Sequence, residues 1–348
     1  MPQQDQPNDQ PNDGTTGDGG DRLRVLVHGA GGIGLYAAAR LAGAGHDVTL
    51  KGRASTVAAL VDGDHDGGHD GGRGELRVLR DGAVTAVAGV RVTDRVPTGE
   101  PFDLVVVATK SWQVADAARE LVPAVGPGTR VLTTQNGVDA PDRLAAHLPA
   151  EAVLAGTVVV IAQRVGPGEV EVVGGEATLT VGAPGRGTPD DADRRVLAAL
   201  EGARVGARWT DDVASALWKK LALVASYGGV GALAGATVGE TRSTPETRDL
   251  VERAMREVLA VGNAEGAHLG DADLSDILRT YESGFAPGTT TSLQRDLAAG
   301  VPSELADQSG AVVAHAIAAG VDAPVHHAIY ASQLPRENAA RRATAGSS

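Results

Sequence analysis

Cysteine is absent from the 348 residues, which excludes disulfides, thiolate metal sites and a cysteine nucleophile. Aromatic residues amount to only 3%, so an apolar core has to be assembled mainly from Ala, Val and Leu. Positive charge is scarce: 31 Lys and Arg stand against 44 Asp and Glu, a formal charge of −13. That balance argues against nucleic acid or an anionic membrane as the main partner. Part of the acidity sits in the N-terminal tail and in one internal loop, so the folded body is less acidic than the total. No apolar run is long enough to cross a bilayer. Met1 to Gly20 is mostly Gln, Asn, Asp, Gly and Pro and lacks the apolar stretch of a signal peptide. A soluble, cytoplasmic protein is expected.

What is present is enough apolar residue, 42%, for a sizeable core, and a length that suggests two domains. Residues 1–21 have nothing to bury and read as a disordered tail. The fold starts near Leu23 with Arg24-Val25-Leu26-Val27-His28 running into Gly29-Ala30-Gly31-Gly32-Ile33-Gly34. An apolar strand, a Gly-x-Gly-x-x-Gly turn and a helix start form a dinucleotide-binding pattern, in which each glycine has a mechanical task. Gly29 permits the sharp turn, Gly31 lets a pyrophosphate approach the backbone, and Gly34 lets the helix pack on the strand. The helix N-terminus then offers free N–H groups to the phosphates.

The second strand, His46 to Leu50, ends in Lys51-Gly52-Arg53. An acidic residue there would bond the ribose 2′-OH of NAD, whereas cations accept the 2′-phosphate of NADP, so NADP is favoured. Asp62 to Gly74 is an Asp/Gly/His loop. His65 and His69 with Asp64, Asp66 and Asp70 are too loosely held for a rigid metal site, and a solvated insertion is the better reading. Short strands are expected at Leu76 to Leu79 and Ala83 to Val87. The apolar strand Asp103 to Thr109 delivers Lys110-Ser111-Trp112-Gln113 to its C-terminal edge, where open α/β sheets bind ligands. A helix follows from Val114 to Leu121. Val131 to Thr134 is the next strand and ends in Gln135-Asn136-Gly137, which is either an ordinary turn or an amide aimed at a ligand. Further strands are expected at Val153 to Ala162 and Val170 to Val181.

From Thr210 the pattern becomes helical. A helix capped by Asp211 or Asp212 runs to about Tyr227. At about 100° per residue, Val213, Leu217, Lys220 and Val224 share one apolar stripe, and Lys219 lies off it. A lysine on a buried face has a lowered pKa and can exchange a proton; the alternative is a lysine snorkelling from the stripe edge. Helices are also expected at Pro245 to Glu265, Asp271 to Tyr281 and Ser303 to Ala319. Glu304 would favour the dipole of the last of these. His326 and His327 read as a surface turn after Pro324, and residues beyond Pro335 as a tail.

In the order of these motifs the chain resembles the ketopantoate reductases, NADPH-dependent 2-oxo-acid reductases of pantothenate biosynthesis. The likeness runs from about Leu23 to Pro335. It rests on Gly29 to Gly34, Arg53, Val107 to Gln113, Gln135-Asn136-Gly137, Leu217-Trp218-Lys219-Lys220-Leu221, Thr291-Ser292-Leu293-Gln294-Arg295-Asp296-Leu297 and Glu304.

The resemblance implies an α/β fold: a Rossmann-type NADP-binding domain at 22–209, an all-α substrate and catalytic domain at 210–335, and a disordered tail at 336–348. It implies NADP(H) held by Gly29, Ala30, Gly31, Gly32, Ile33 and Gly34, with Arg53 on the 2′-phosphate and Lys110, Asn136, the Ala162 backbone and Glu304 also at the cofactor. It makes Lys220 the catalytic acid with Glu304 beside the reacting groups, and Asn136, Lys220 and Ser292 the substrate contacts. Two helix asparagines of the family are Val224 and Gly228 here, and a third is Ser309, so the substrate half departs from the pattern while the cofactor half does not.

The reaction expected is reduction of a 2-oxo acid, 2-dehydropantoate or a relative, to the 2-hydroxy acid, with no metal. The partner is a small molecule, with neither nucleic acid nor membrane; the oligomeric state is left open, a homodimer included. The rival readings are a non-catalytic NADP-binding redox sensor, which needs no buried Lys220, and a β-hydroxy-acid dehydrogenase, whose motifs fit less well around Lys220.

Overall fold

The computed structural model describes residues 22–61 and 71–346. The N-terminal tail and all of the Asp/Gly/His loop but its last four residues lie outside them. Val25, Leu26 and Val27 are wholly buried, and the central residues of the strands on either side are buried too, because a parallel strand covered on both faces has to be largely apolar along its middle. In chain order the first half runs β1 (Arg24–His28), α1 (Gly32–Gly43), β2 (Asp47–Lys51), α2 (Ala54–Leu60), β3 (Gly72–Arg80), β4 (Ala83–Thr93), β5 (Leu104–Val107), α3 (Val114–Leu121), β6 (Arg130–Thr133), α4 (Ala140–Ala145), β7 (Val153–Gly166), β8 (Glu169–Gly182), α5 (Asp191–Gly202) and β9 (Gly206–Trp209).

These strands form one nine-stranded sheet in the order β3-β4-β2-β1-β5-β6-β7-β8-β9. From β4 across to β7 every pairing is parallel, whereas β3–β4 and β7–β8 are antiparallel hairpins. The hairpins are longer than the sequence suggested, with register shifts at Gly74/Leu76 and Val159/Ile161 that let the strands bend. They curl toward each other until β3 pairs with β8 in parallel, Val78 opposite Val170. Helix α1 lies inside the curl, in contact with β2, β3, β4, β7 and β8, and buries Leu35, Tyr36, Ala38, Ala39 and Leu41. β1 is flanked by β2 and β5, so the strand order reverses beside it. The crevice at the C-terminal ends of β1 and β5 is therefore where a ligand is expected.

The helical part comprises α6 (Val213–Ala234), α7 (Val238–Ser243), α8 (Pro245–Ala264), α9 (Asp271–Ser283), α10 (Ser292–Ala299), α11 (Ser309–Ala319) and α12 (Pro324–Ala345). Its core is separate and includes Leu221, Val251, Met255, Val258, Tyr281, Val312 and Ile329. Asp212 caps α6, its carboxylate accepting the Ser215 N–H at 2.9 Å. The helix ends at Ala234, seven residues beyond Tyr227, and left-handed Gly235 caps it. No helix of the described residues is long and apolar enough to cross a membrane.

Three expectations are corrected here. Pro324 opens α12 instead of making a surface turn, since proline suits the first helical position. His326 is therefore fully buried; burial lowers its pKa to about 4, and its ring bonds Ala254 O at 3.2 Å and Ser309 Oγ at 3.4 Å. The expected tail after Pro335 is helix as far as Ala345: Pro335 sits on the exposed face, while Glu337 and Ala340 are buried. The helix placed at Ser303 begins at Ser309. The carboxylate of Glu337 takes the Ser303 N–H at 3.0 Å and its hydroxyl at 2.6 Å, pinning the preceding residues as a buried turn. Glu304 lies in that turn and not at a helix N-terminus.

Candidate active site

The fingerprint glycines separate by what surrounds them. Gly29 has φ +117°, and a Cβ on it would stand 2.7 Å from Ala108 O. One on Gly34 would stand 1.8 Å from Gly29 O, the close helix–strand approach that the sequence required. One on Gly32 would strike Ala162 O at 2.2 Å, so the Ala162 backbone lies directly over the start of α1. Gly31 alone among the four has room, with Ala108 O at 4.0 Å as its nearest neighbour. The turn is tight everywhere except where a phosphate would approach, which fits a dinucleotide.

At the end of β2 the two cations part company. Lys51 is bonded to Glu120 of α3 at 2.6 Å, and His28 Nε2 lies 3.0 Å from the same oxygen. A carboxylate is thus present at this edge after all, supplied by α3. Burial alone would raise the Glu120 pKa, but the bonds from Lys51 and His28 leave it lowered. Burial, reinforced by Lys51, lowers that of His28. Arg53, just before α2, is exposed, and its guanidinium has no hydrogen-bond partner among the described residues.

The segment Lys110-Ser111-Trp112 is held by the helical part at every residue. Lys110 bonds Asp296 of α10 at 2.6 Å. Ser111 gives its N–H and hydroxyl to Glu304 Oε1 at 3.1 and 2.8 Å. The Trp112 ring lies under Arg341, 4.7 Å away, and Arg341 is itself bonded to Glu337 at 2.6 Å. Burial pushes the Glu304 pKa up, against the pull of Lys110 and Ser111. The Glu304 carboxylate is thus bonded to Ser111 and orders this segment.

After β6, Gln135 donates to Val107 O at 2.9 Å and Thr109 O at 3.0 Å and fixes the turn to the end of β5. Gly137 has φ +146° and packs on Asp307, beside Glu304. Asn136, half-buried between them, makes no side-chain hydrogen bond among the described residues and is available to a ligand.

On α6, Lys219 is bonded to Asp273 and Asp276 at 2.8 and 3.0 Å. Burial works against its charge, but the two carboxylates leave its pKa raised. Lys220 points the other way and donates to Val158 O of β7. The residue as a whole is half-buried, yet its ammonium lies in dense protein, and burial lowers its pKa to about 8. Val224 follows one turn on. The next place on the stripe, Gly228, is not open: a Cβ there would stand 2.8 Å from Thr291 Cγ2 and Oγ1. Thr291 caps α10, with Gln294 reciprocating. The sequence missed Thr291 as part of this wall, although Thr291-Ser292-Leu293-Gln294 has the spacing of a capping box. Ser292, half-buried beside it, makes no side-chain hydrogen bond among the described residues.

Pairwise contacts therefore close a ring around the crevice. β7 touches α1 at Gly32 and α6 at Lys220, α6 touches α10 at Gly228, and α10 touches the Lys110 segment, which leads through Glu304 and Asp307 to the Asn136 turn. Among the described residues no group of His, Cys, Asp or Glu could hold a metal.

Comparison with known proteins gives one answer. Residues 25–186 match the family profile described as "Ketopantoate reductase PanE/ApbA", and residues 212–333 match its C-terminal counterpart. A 2-dehydropantoate 2-reductase of Halobacterium salinarum is 32% identical over 303 residues, 87% of this chain and 95% of that one. The crystal structure of a PanE/ApbA family ketopantoate reductase from Ralstonia eutropha superposes with a TM-score of 0.77 at 28% identity, covering 91% of this chain and 99% of the other. D-mandelate dehydrogenase, solved with NADH and anilino(oxo)acetate, has the same fold at 18% identity, with a TM-score of 0.78 and coverage of 91% and 99%.

Proposed function

The chain belongs to the ketopantoate reductase family of oxidoreductases acting on CH–OH groups, and from that premise we propose that it reduces a branched 2-oxo acid to the 2-hydroxy acid with NADPH on a Rossmann-type domain. The observation that carries the reading is Lys220: a buried ammonium with its pKa at about 8, bonded to β7, the strand that also lies against the fingerprint. NADPH, when bound, supplies the hydride for the carbonyl carbon and leaves as NADP⁺. The carbonyl oxygen then needs a proton and, before it, a positive charge. The Lys220 ammonium provides both, and its lowered pKa eases release of the proton near neutrality.

Asn136, whose side chain has no hydrogen bond among the described residues, orients the nicotinamide half and the substrate, and the Ser292 hydroxyl contacts the substrate. Glu304 acts on the cofactor side, where it orders Lys110 and Ser111. Arg53 receives the 2′-phosphate, while the charge of Glu120 is spent on Lys51 and His28 and does not repel it. A redox sensor without catalysis would have no use for the buried Lys220.

The wall beyond Lys220 narrows the substrate. Val224 is apolar, and Thr291, whose hydroxyl accepts the Gln294 N–H at 3.2 Å, fills the place beside Gly228. Neither offers the amides that would discriminate a hydroxylated substituent. A 2-oxo acid with an apolar branch, such as 2-oxoisovalerate, is expected to be used about as well as 2-dehydropantoate. The test is NADPH oxidation over a panel of 2-oxo acids. No turnover with any of them would refute the reductase; a preference for 2-dehydropantoate above about a hundredfold would refute the reading of the wall, since only a site bonding the hydroxyl discriminates so strongly.

A further inference from the structure

His315, on α11, lies outside the ring. Its Nε2 is 2.8 Å from Asp139 Oδ1, before α4, and its Nδ1 is 3.1 Å from Glu265 Oε1, at the end of α8. Its ring meets the edge of Trp218 at 5.4 Å. A neutral imidazole has one N–H and can satisfy only one of two carboxylates, whereas an imidazolium satisfies both.

Asp139 closes the turn that presents Asn136 and is also 3.3 Å from Arg143. Arg143 in turn bonds Asp307 at 2.6 Å and Ser111 O at 2.9 Å. With His315 cationic, charges alternate from Glu265 through His315, Asp139 and Arg143 to Asp307, and the chain of contacts crosses from the helical part to the Asn136 turn and back.

We propose that His315, as an imidazolium, is a positioning residue for Asn136, tying the Asn136–Asp139 turn to the helical part and making cofactor affinity depend on pH. The assignment rests on the cofactor contact given to Asn136 above. The surroundings favour the charged ring. Besides Asp139 and Glu265, the same cleft of about 310 Å³ is lined by Asp142 of α4 and by Asp211 and Asp212 ahead of α6. The cation nearby is Arg143, engaged as described, and the exposed His268 ring lies 3.1 Å from Asp212. Burial works against the charge on His315, but the bonds to Asp139 and Glu265 outweigh it and raise its pKa above the usual 6.5. The clamp is therefore complete below pH 6.5 and is lost as pH rises through the higher value in the folded protein.

The experiment is the dissociation constant of NADPH, measured by nucleotide fluorescence on the full chain from pH 5.5 to 8.5, for the wild type, His315→Gln, Glu265→Gln, Asn136→Ala and the double variant Asn136→Ala/His315→Gln. Expected are wild-type binding that weakens about fivefold as pH rises, a flat and weak profile for His315→Gln, and a transition moved to lower pH in Glu265→Gln, which keeps the side-chain shape. In the Asn136→Ala background, His315→Gln should add nothing. Equal losses from His315→Gln with and without Asn136, or a wild-type profile flat across the range, would overturn the proposal. Failure of the wild type to bind NADPH at any pH would instead refute the function on which it rests.

Discussion

Replacing Lys220 removes a proton donor and a charge together, and the two can be separated. With a pKa of about 8, the ammonium is about nine-tenths protonated at pH 7 and about one-tenth at pH 9. Reduction requires the protonated form, so kcat/KM should be level well below pH 8 and fall about tenfold per unit well above it. Lys220→Ala should lower kcat about 10³-fold, the middle of the range for a positioned proton donor and equal to about 4 kcal/mol of barrier. NADPH binding should change little.

Lys220→Arg keeps the charge but cannot release its proton, so any residual rate should lose the fall above pH 8. Lys219→Ala is the control. It gives up ion pairs to Asp273 and Asp276 at 2.8 and 3.0 Å, partly exposed and worth about 1 kcal/mol at most, and kcat should stay within about twofold. Steady-state kinetics and a fluorescence titration of the cofactor decide the matter. If Lys220→Ala kept a tenth of the wild-type kcat, matched Lys219→Ala, or left the pH profile unchanged, the assignment of the proton to Lys220 would be wrong.

Gly31→Ala and Gly34→Ala should fail in different ways. The first has 4.0 Å of clearance, so its thermal midpoint should hold while dinucleotide affinity falls at least about tenfold. The second brings Cβ to 1.8 Å from a backbone oxygen and should lower the midpoint by about 1–3 kcal/mol of stability as well; equal midpoints in a melting assay would contradict the contrast. Arg53→Ala should weaken NADPH binding by about tenfold or more, the worth of a bond to a charged group, and leave NADH nearly unchanged. Equal losses for both cofactors, measured as dissociation constants, would remove Arg53 from the 2′-phosphate.

Much of this was legible in the chain because the signals were local. β1 and the glycine turn read directly, since a buried parallel strand is a continuous apolar run and Gly29, Gly32 and Gly34 each answer a nearby backbone clash. The apolar stripe of α6 separated Lys220 from Lys219 by helix angle alone, and the structure gives the two lysines different partners. What failed depended on distant residues. Nothing near Lys51 in sequence announces Glu120, which reaches it from α3, and nothing near Gly228 announces Thr291. Pro324 and Pro335 were read as breaks, but one begins a helix and the other lies on an exposed face of it, where burial of Glu337 and Ala340 sustains the turn beyond. Glu304 reads as a dipole partner because the helical pattern extends back to Ser303, yet Ser303 is taken by Glu337, thirty-four residues away.

The pairing of β3 with β8 has a consequence for synthesis. The curl around α1 is made of strands from both ends of the N-terminal half, so the early stretch of the nascent chain covers α1 only in part. The first helix to leave the ribosome waits with part of its apolar side uncovered until Gly182 has emerged, roughly ten seconds later at ordinary elongation rates. During that interval the segment most exposed to chaperones is the apolar side of that helix.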